Sequence, residues 1–325
     1  MNLPPREVKA KILLHRRIGP DYFRLQLACP EIARQARPGQ FLMLHITDLK
    51  DPFLRRPFSF SRIFRPLEVK KKPLDEGGVE ICYQTVGRGT RLMTQLPEGQ
   101  RVDLLGPLGN GFRPEEQCAR VILVGGGIGV PPLLSWAQEL RKKGSGKKRS
   151  AKASEASPEL IFLMGAKSKE KTIGVGECRK WGIEVQVATE DGSLGMKGMV
   201  TDLLGRELMT GQHGATALYA CGPNAMLVQV AQVAEQFDLP CQVLLESRMA
   251  CGVGACLGCM VKLREEREPT PLSALSNQDS CPGEAAEERE SREGAISMIS
   301  GTPPFRYARV CKEGPVFDAR KIFWD

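Results

Sequence analysis

Three closely spaced cysteines constrain this sequence more than any other feature. Cys251, Cys256 and Cys259 follow the spacing C-x4-C-x2-C, with glycines between them. Thiolates at this spacing on a tight loop are typical of a plant-type [2Fe–2S] cluster, whose fourth cysteine comes from elsewhere in the chain. The glycines permit unusual φ angles and let backbone N–H groups approach the sulfur atoms. A zinc knuckle and a chance group of buried cysteines are weaker alternatives, because zinc usually takes two C-x2-C pairs.

Two downstream cysteines are candidates for the fourth ligand. Cys281 lies within residues 264–301, a polar and acidic stretch that we expect to form a solvated or disordered insert. Cys311 lies in the segment Tyr307–Phe317, where apolar neighbours can anchor it. The sequence therefore favours Cys311. The remaining cysteines are interpreted as small buried or surface residues.

Length and composition limit the number of domains and the classes of protein to which this chain can belong. A chain of 325 residues suggests two or three domains. Its start does not resemble a secretion signal, so eleven cysteines indicate ligand chemistry in a reducing cytoplasm. No apolar stretch reaches the ~18 residues of a membrane span. Aromatic residues make up only 6%, which argues against a base-stacking nucleic-acid platform, and the basic run 141–149 within a net charge of +8 is interpreted as a solvated loop.

The first third of the chain has the pattern of short strands separated by turns. Strands at this spacing indicate an antiparallel barrel, which we assign to residues 1–113. The predicted strands are Val8–Leu14, Tyr22–Leu27, Gln40–Ile46, Phe58–Ile63, Val79–Thr85 and Arg101–Leu105.

Strands alternate with helices in the next part, which indicates a parallel α/β domain over residues 114–245. Residues 246–325 are expected to form a small cluster domain. Polar segments at 64–78 and 142–158 are expected to be further inserts. The predicted strands are Arg120–Val124, Leu160–Met164, Glu184–Thr189, Ala217–Cys221 and Cys241–Leu245, and the predicted helices are Leu133–Arg141, Gly198–Arg206 and Asn224–Phe237.

A glycine-rich turn between a predicted strand and a predicted helix is the second functional motif. This arrangement suits phosphate binding, because the turn delivers anion oxygens to a helix N-terminus. A tight structural turn is the alternative. A later strand ends in Cys221-Gly222-Pro223, so its loop reaches the same carboxyl edge of the sheet, where ligands bind in such folds. The glycines of the turn are Gly125, Gly126, Gly127 and Gly129.

The third motif is an Arg-Pro-Phe-Ser sequence on a predicted barrel strand. Arginine and serine can hold a pyrophosphate, and an aromatic residue such as Tyr83 can stack on a flavin or adenine ring. The motif is weak when taken alone, since phenylalanine on a strand is usually core and arginine usually a surface charge. Its residues are Arg56, Pro57, Phe58 and Ser59.

Together the motifs resemble the ferredoxin–NADP reductase superfamily and, within it, the electron-transfer subunits of heteromeric dihydroorotate dehydrogenases. The likeness covers nearly the whole chain. It implies a ferredoxin-reductase-like α/β plus all-β fold, with an FAD-binding barrel, an NAD-binding α/β domain and a C-terminal [2Fe–2S] domain. The residues that it implicates are Arg56, Pro57, Phe58, Ser59, Cys82, Tyr83, Gln84, Gly89 and Thr90 for FAD; Gly125, Gly126, Gly127, Gly129, Gly222 and Pro223 for NAD; Cys221 as the catalytic residue near the point of hydride transfer; and Cys251, Cys256, Cys259 and Cys311 as cluster ligands.

The resemblance also implies an activity and a partner. An FMN-containing catalytic subunit would oxidise dihydroorotate to orotate, and electrons would pass through the cluster and FAD to NAD+, within a heterotetramer of two subunits of each kind. An electron-input subunit of a sulfide dehydrogenase or of an NADH-dependent ferredoxin–NADP oxidoreductase is one alternative. A non-enzymatic redox sensor is another, which absence of bound flavin would favour.

Two points stay open in the sequence. The segment Lys167-Ser168-Lys169 can meet the 2′-phosphate of NADP or simply be exposed, so the choice between NAD and NADP is undecided. The family usually has a short segment between its third and fourth cysteines, whereas 51 residues separate Cys259 from Cys311 here. Because the entropy of loop closure grows slowly with length, this insert need not break the site.

Overall fold

The computed structural model of the chain describes residues 4–46, 51–67, 73–116, 118–145, 158–210, 215–265 and 305–324. Cys281 and most of the expected insert 264–301 lie outside these ranges. The central parts of the expected inserts at 64–78 and 142–158 lie outside them as well. No helix within the described ranges is long and apolar enough to span a membrane.

A closed antiparallel barrel forms the first third of the chain, as predicted. Its strands are β1 (Arg6–Arg17), β2 (Tyr22–Ala28), β3 (Phe41–His45), β4 (Arg56–Phe64), β5 (Gly78–Gln84) and β6 (Arg101–Leu108). They neighbour one another in the order β1-β2-β5-β4-β3-β6. Closure removes the free strand edges. Two short helices connect strands, α1 (Pro30–Gln35) after β2 and α2 (Arg88–Met93) after β5.

Alternation along β5 shows how the barrel wall is built. Val79, Ile81 and Tyr83 are at most 1% exposed and belong to the barrel core. Glu80 and Cys82 lie between them and face outward, because successive side chains of a strand point to opposite faces. The inner face is therefore filled by packing, and the outer face is the one that can meet a ligand or another domain.

A largely parallel sheet follows the barrel and confirms the predicted α/β arrangement. Its strands are β7 (Arg120–Gly126), β8 (Glu159–Ala166), β9 (Glu184–Thr189), β10 (Met196–Lys197), β11 (Thr216–Cys221) and β12 (Cys241–Leu244), and its helices are α3 (Val130–Ser145), α4 (Val175–Lys180), α5 (Val200–Thr210) and α6 (Asn224–Gln236). These strands neighbour one another in the order β10-β9-β8-β7-β11-β12. The order along the chain therefore reverses between the parallel neighbours β7 and β11. Ligands of open α/β sheets bind at the carboxyl edge of such a reversal.

The C-terminal part adds a ribbon and one more strand. Strands β13 (Met260–Arg264) and β14 (Phe305–Arg309) pair with each other, and β15 (Val316–Asp318) pairs antiparallel with β12. The division of the chain at residues 113/114 and 245/246 stays a prediction. Strand β15 nevertheless crosses the second boundary, because it completes the sheet assigned to residues 114–245.

The ribbon explains how the long insert is accommodated. Arg264 at the end of β13 pairs with Phe305 at the start of β14, so the two ends of the intervening segment are neighbours. The length of the connection then affects stability only through the slowly growing entropy of loop closure. The ribbon thereby brings Cys259, just before β13, to within hydrogen-bond distance of Cys311, just after β14.

Candidate functional site

The four predicted cluster cysteines form two pairs. Sγ of Cys251 accepts hydrogen bonds from the backbone N–H groups of Val253 and Cys256, each at 3.4 Å. Sγ of Cys259 accepts one from the N–H of Cys311 at 3.4 Å. No group of three His, Cys, Asp or Glu side chains in the described part of the chain is placed to hold a metal ion. Two pairs of thiolates nevertheless suit a two-iron cluster, which takes four cysteines in all.

The loop that carries the first three cysteines needs its glycines for two reasons. Gly252 and Gly254 have φ of 72° and 83°, in the left-handed region that glycine adopts at no steric cost. A Cβ atom on Gly252 would also lie 2.6 Å from Cγ of Met43 on β3, so the loop approaches the barrel closely. The local sequence therefore fixes both the shape of the loop and its position against the barrel.

The thiols of the two pairs differ in their electrostatics. Burial raises the pKa of Cys251, but the backbone N–H groups of Cys256 and Val253 outweigh it and bring that pKa to about 6. Burial, followed by the neighbouring Cys259 thiol, raises the pKa of Cys311 to about 12. Metal coordination deprotonates a thiol outright. A metal cluster held by these cysteines would therefore keep Cys311, as well as Cys251, in the thiolate form.

The Arg-Pro-Phe-Ser motif and the turn after β5 meet on the barrel, as the resemblance implies. A Cβ atom on Gly89 would lie 3.2 Å from Nε of Arg56, so the guanidinium lies directly against the start of α2. Oγ1 of Thr90 accepts hydrogen bonds from the backbone N–H groups of Val86 at 2.9 Å and Gly87 at 3.1 Å. These bonds fix the shape of the turn. The arginine and the turn can together bind the phosphates of a dinucleotide.

Tyr83 requires a correction. Its ring is 1% exposed and stacks on Phe23, with ring centroids 5.4 Å apart and planes inclined by 17°, while Phe58 approaches edge-on at 6.0 Å. The expectation that the Tyr83 ring stacks on a bound flavin or adenine is therefore wrong, since the ring is part of the barrel core. The neighbours Cys82 and Gln84 occupy the outer face, and the backbone of Tyr83 is what remains for a cofactor.

The substitution Tyr83→Phe tests this structural role. The hydroxyl of Tyr83 lies 2.8 Å from Nε2 of His15, whose Nδ1 donates to the carbonyl of Leu96. Loss of this bond is expected to lower the free energy of unfolding by about 1 kcal/mol, with flavin content unchanged. Denaturant unfolding and visible absorption measure the two quantities. The matched control is Tyr307→Phe, because Tyr307 is 57% exposed. Loss of flavin from Tyr83→Phe but not from Tyr307→Phe would contradict the assignment of the Tyr83 ring to the barrel core.

The glycine turn lies at the sheet reversal, where β7 ends beside β11. Residues Gly127–Gly129 form a 3-10 turn leading into α3, and Gly125 pairs with Cys221 across the two strands. A Cβ atom on Gly129 would lie 2.2 Å from the carbonyl oxygen of Cys221, and one on Gly126 would lie 2.7 Å from Sδ of Met226. The absence of side chains is therefore what lets the two loops approach, and together they form the predicted nucleotide edge.

Cys221 lies at that edge with its side chain 6% exposed. Burial, and after it the charge of Glu246, raises the pKa of the thiol, which stays protonated at neutral pH. Gly222 and Pro223 follow it directly, and Pro223 precedes the first residue of α6. A neutral thiol at this position can contact a bound nicotinamide but is not activated as a nucleophile.

Sequence reasoning missed the residues that join the barrel to the sheet. The hydroxyl of Tyr22 on β2 lies 3.6 Å from the position a Cβ atom would take on Gly127, and Asp21 pairs with Lys171 at 3.5 Å. Arg24 pairs with Glu177 of α4. No local pattern distinguishes these residues from ordinary strand and helix residues, because each gains its role only from a contact between distant segments.

Comparison with known families and curated proteins gives consistent matches. The family described as the iron–sulfur cluster binding domain of dihydroorotate dehydrogenase B matches residues 246–273. A Desulforamulus reducens protein named dihydroorotate dehydrogenase B (NAD(+)), electron transfer subunit, is 32% identical over 316 residues, which cover 97% of this chain and 98% of that protein. A Caldanaerobacter subterraneus protein of the same name is 31% identical over 322 residues, or 98% and 99% of the two chains.

Solved structures confirm the ferredoxin-reductase-like fold. A chain from the NADH-dependent reduced ferredoxin–NADP oxidoreductase structure superposes with a TM-score of 0.70 at 25% identity, covering 98% of this chain and 91% of that one. A ferredoxin–NADP+ reductase from Neisseria gonorrhoeae shares the fold, with a TM-score of 0.57 at 16% identity over 71% of this chain and 91% of that one. With relatives above 30% identity along nearly its whole length, the chain belongs to the family of dihydroorotate dehydrogenase B electron transfer subunits.

Proposed function

We propose that this chain is the NAD-linked electron transfer subunit of a dihydroorotate dehydrogenase. It carries electrons from the FMN of a catalytic partner through [2Fe–2S] and FAD to NAD+ in pyrimidine biosynthesis. The observation that carries the proposal is the contact between the cluster loop and the barrel. Gly252 lies against Met43 on β3, and Met43 pairs with Pro57 of the Arg-Pro-Phe-Ser strand. The predicted cluster and flavin sites are therefore neighbours.

Each site has its own residues in this proposal. FAD, when bound, supplies the ability to exchange a hydride with nicotinamide and single electrons with an iron–sulfur cluster. Cys251, Cys256, Cys259 and Cys311 hold the cluster, and Arg56 with the Gly89-Thr90 turn holds FAD phosphates. The glycine turn after β7 and the Cys221-Gly222-Pro223 loop bind and orient the nucleotide, which places the reacting atoms for transfer.

The surface beside the cluster is suited to a partner subunit. Cys256 is exposed, and apolar side chains close to it in the chain are exposed as well, namely Val253 at 46%, Leu257 at 58% and Met260 at 38%. Exposed apolar groups that adjoin one another mark protein interaction sites. We propose that the FMN-containing catalytic subunit docks on this surface. A heterotetramer with two subunits of each kind follows from the family resemblance, and a cytoplasmic location fits thiolate ligands that a reducing compartment preserves.

An anaerobic titration of the purified protein with NADH, and separately with NADPH, tests the proposal. NADH is expected to bleach both the flavin and the iron–sulfur absorption bands, because the predicted sites adjoin one another. Addition of dihydroorotate should bleach the bands only when the FMN subunit is co-expressed. Bands that neither NADH nor NADPH bleaches would contradict the proposed path and favour a redox sensor.

One structural observation favours a second candidate, an electron-input subunit for a different acceptor. The reduced ferredoxin–NADP oxidoreductase chain matches 98% of this chain at a TM-score of 0.70. Such a subunit would exchange electrons with NADH but not with dihydroorotate in the presence of the FMN subunit. The same titration, repeated with dihydroorotate, therefore separates the two candidates.

A further inference from the structure

A charged network lies on the outer face of the barrel, where three neighbouring strands meet. Glu80 on β5 is 1% exposed, and its Oε1 lies 3.5 Å from Nε of Arg24 on β2 and 3.7 Å from Nε of Arg62 on β4. Its carboxylate also accepts hydrogen bonds from Ser61 at 3.0 Å and Gln26 at 2.8 Å. A buried carboxylate is tolerated only when it is paired and hydrogen-bonded in this way.

One carboxylate from the sheet domain completes this network. Oε1 of Glu177 on α4 lies 2.5 Å from Nη2 of Arg24 and 3.5 Å from Nη2 of Arg62. Trp181, which follows the last residue of α4, places the centroid of its ring 5.5 Å from the guanidinium carbon of Arg62. Two arginines and two carboxylates balance in charge, and the second carboxylate comes from across the boundary between barrel and sheet.

Strand β2, which carries Arg24, also faces the predicted cofactor sites. Tyr22 and Arg24 are two residues apart on β2 and therefore share a face. Tyr22 approaches the glycine turn at Gly127, and its pairing partner on β5 is Gln84. Arg24 pairs with Cys82, so both β5 neighbours are predicted flavin contacts. Any movement of α4 against β2 therefore changes the position of the glycine turn relative to the flavin face.

Glu177 is in the charged form that the network needs. Burial raises the pKa of this carboxyl, but hydrogen bonding to Arg24 and the charges of Arg24 and Arg62 outweigh burial and lower it below its ordinary value. Both the distances from Glu177 to the two arginines and its charged form indicate that Glu177 binds both arginines at neutral pH.

We propose that Glu177 is a positioning residue, which sets the orientation of the sheet domain against the barrel and thereby the distance between nicotinamide and flavin. The inference rests on the proposed function and adds to it a determinant of the hydride-transfer step. Glu177 acts through Arg24 and Arg62 and is not one of the residues predicted to contact either cofactor. Since a misplacement of about 1 Å can slow an aligned transfer on the order of 100-fold, loss of this contact should be visible in the rate.

The test is stopped-flow reduction of the bound flavin by NADH in Glu177→Gln. The substitution keeps the size of the side chain and removes its charge. The rate constant of flavin reduction at saturating NADH is expected to fall on the order of 10- to 100-fold. The dissociation constant of NADH and the flavin content should change little, because the glycine turn and the Arg-Pro-Phe-Ser strand are intact. Glu177→Asp, which keeps the charge on a shorter side chain, should give an intermediate rate.

Glu207→Gln is the matched control. Glu207 pairs with Arg120 and is 13% exposed, but both residues lie in the sheet domain. Its substitution removes a more deeply buried ion pair within one domain and should leave the flavin reduction rate unchanged. Equal rates in Glu177→Gln and wild type would overturn the inference, and so would loss of flavin from both Glu177 variants, which would assign the residue to barrel stability. Failure of NADH to reduce the wild-type flavin would instead reject the proposed function itself.

Discussion

Replacement of Cys256 by serine is expected to remove the iron–sulfur absorption and abolish electron transfer from the catalytic partner to FAD. The cause is chemical, because a cluster iron binds thiolate, whereas a serine hydroxyl stays protonated at neutral pH. The flavin band and NADH-dependent reduction of an artificial dye should persist, since the predicted FAD and NAD residues belong to the barrel and the sheet. Visible absorption, iron content and the two assays measure these outcomes.

Cys118→Ser is the control for this experiment. Cys118 lies just before β7 and its Sγ donates to the carbonyl of Arg120 at 2.8 Å, a bond that a serine hydroxyl can also make. This variant should retain the cluster and both activities. A cluster that survives in Cys256→Ser would reject the assigned ligand set. Loss of flavin together with the cluster would show that the loop also supports the barrel, through the approach of Gly252 to Met43.

Regular elements with a clear period could be predicted from the sequence. The strand predicted at Glu184–Thr189 has the same bounds in the structure, and the helix predicted at Asn224–Phe237 ends one residue earlier. Helices α1, α2 and α4 were missed because each has six residues, fewer than two turns, which is too short to show a helical period. Strand β15 was missed because its three residues are defined only by pairing with β12.

The residues of the candidate site also fall into two groups, those that a local sequence pattern reveals and those that it does not. The cysteine and glycine motifs were visible because each imposes a local backbone or ligand requirement on its own residues. The error at Tyr83 was one of strand parity, since Val79 and Ile81 share its alternation and mark that face as core. Glu177 and Tyr22 were not visible at all, because their partners lie on segments distant in the chain.

Substitution of Gly129 by alanine is expected to disable the nucleotide edge while sparing the other cofactors. The added Cβ atom would lie 2.2 Å from the carbonyl oxygen of Cys221 and 2.6 Å from the backbone nitrogen of Gly222. Backbone atoms cannot rotate away as a flexible side chain can, so the loops after β7 and β11 must separate. Overpacking of this kind costs about 1–3 kcal/mol of stability. If a similar amount is lost from nucleotide binding, the affinity for NADH falls on the order of 5- to 150-fold.

Titration with NADH and unfolding by denaturant measure both effects in Gly129→Ala. The flavin and iron–sulfur bands should match those of the wild type, because Arg56 and the cluster cysteines lie outside the altered loops. Gly205→Ala on α5 is the control, since a Cβ atom there meets nothing within 4 Å. Alanine in a helix interior should stabilise the protein by about 0.5–1 kcal/mol and leave NADH affinity unchanged. Wild-type affinity in Gly129→Ala would mean that the nucleotide does not bind where β7 and β11 end, because no bound position at that edge tolerates the separation of the two loops.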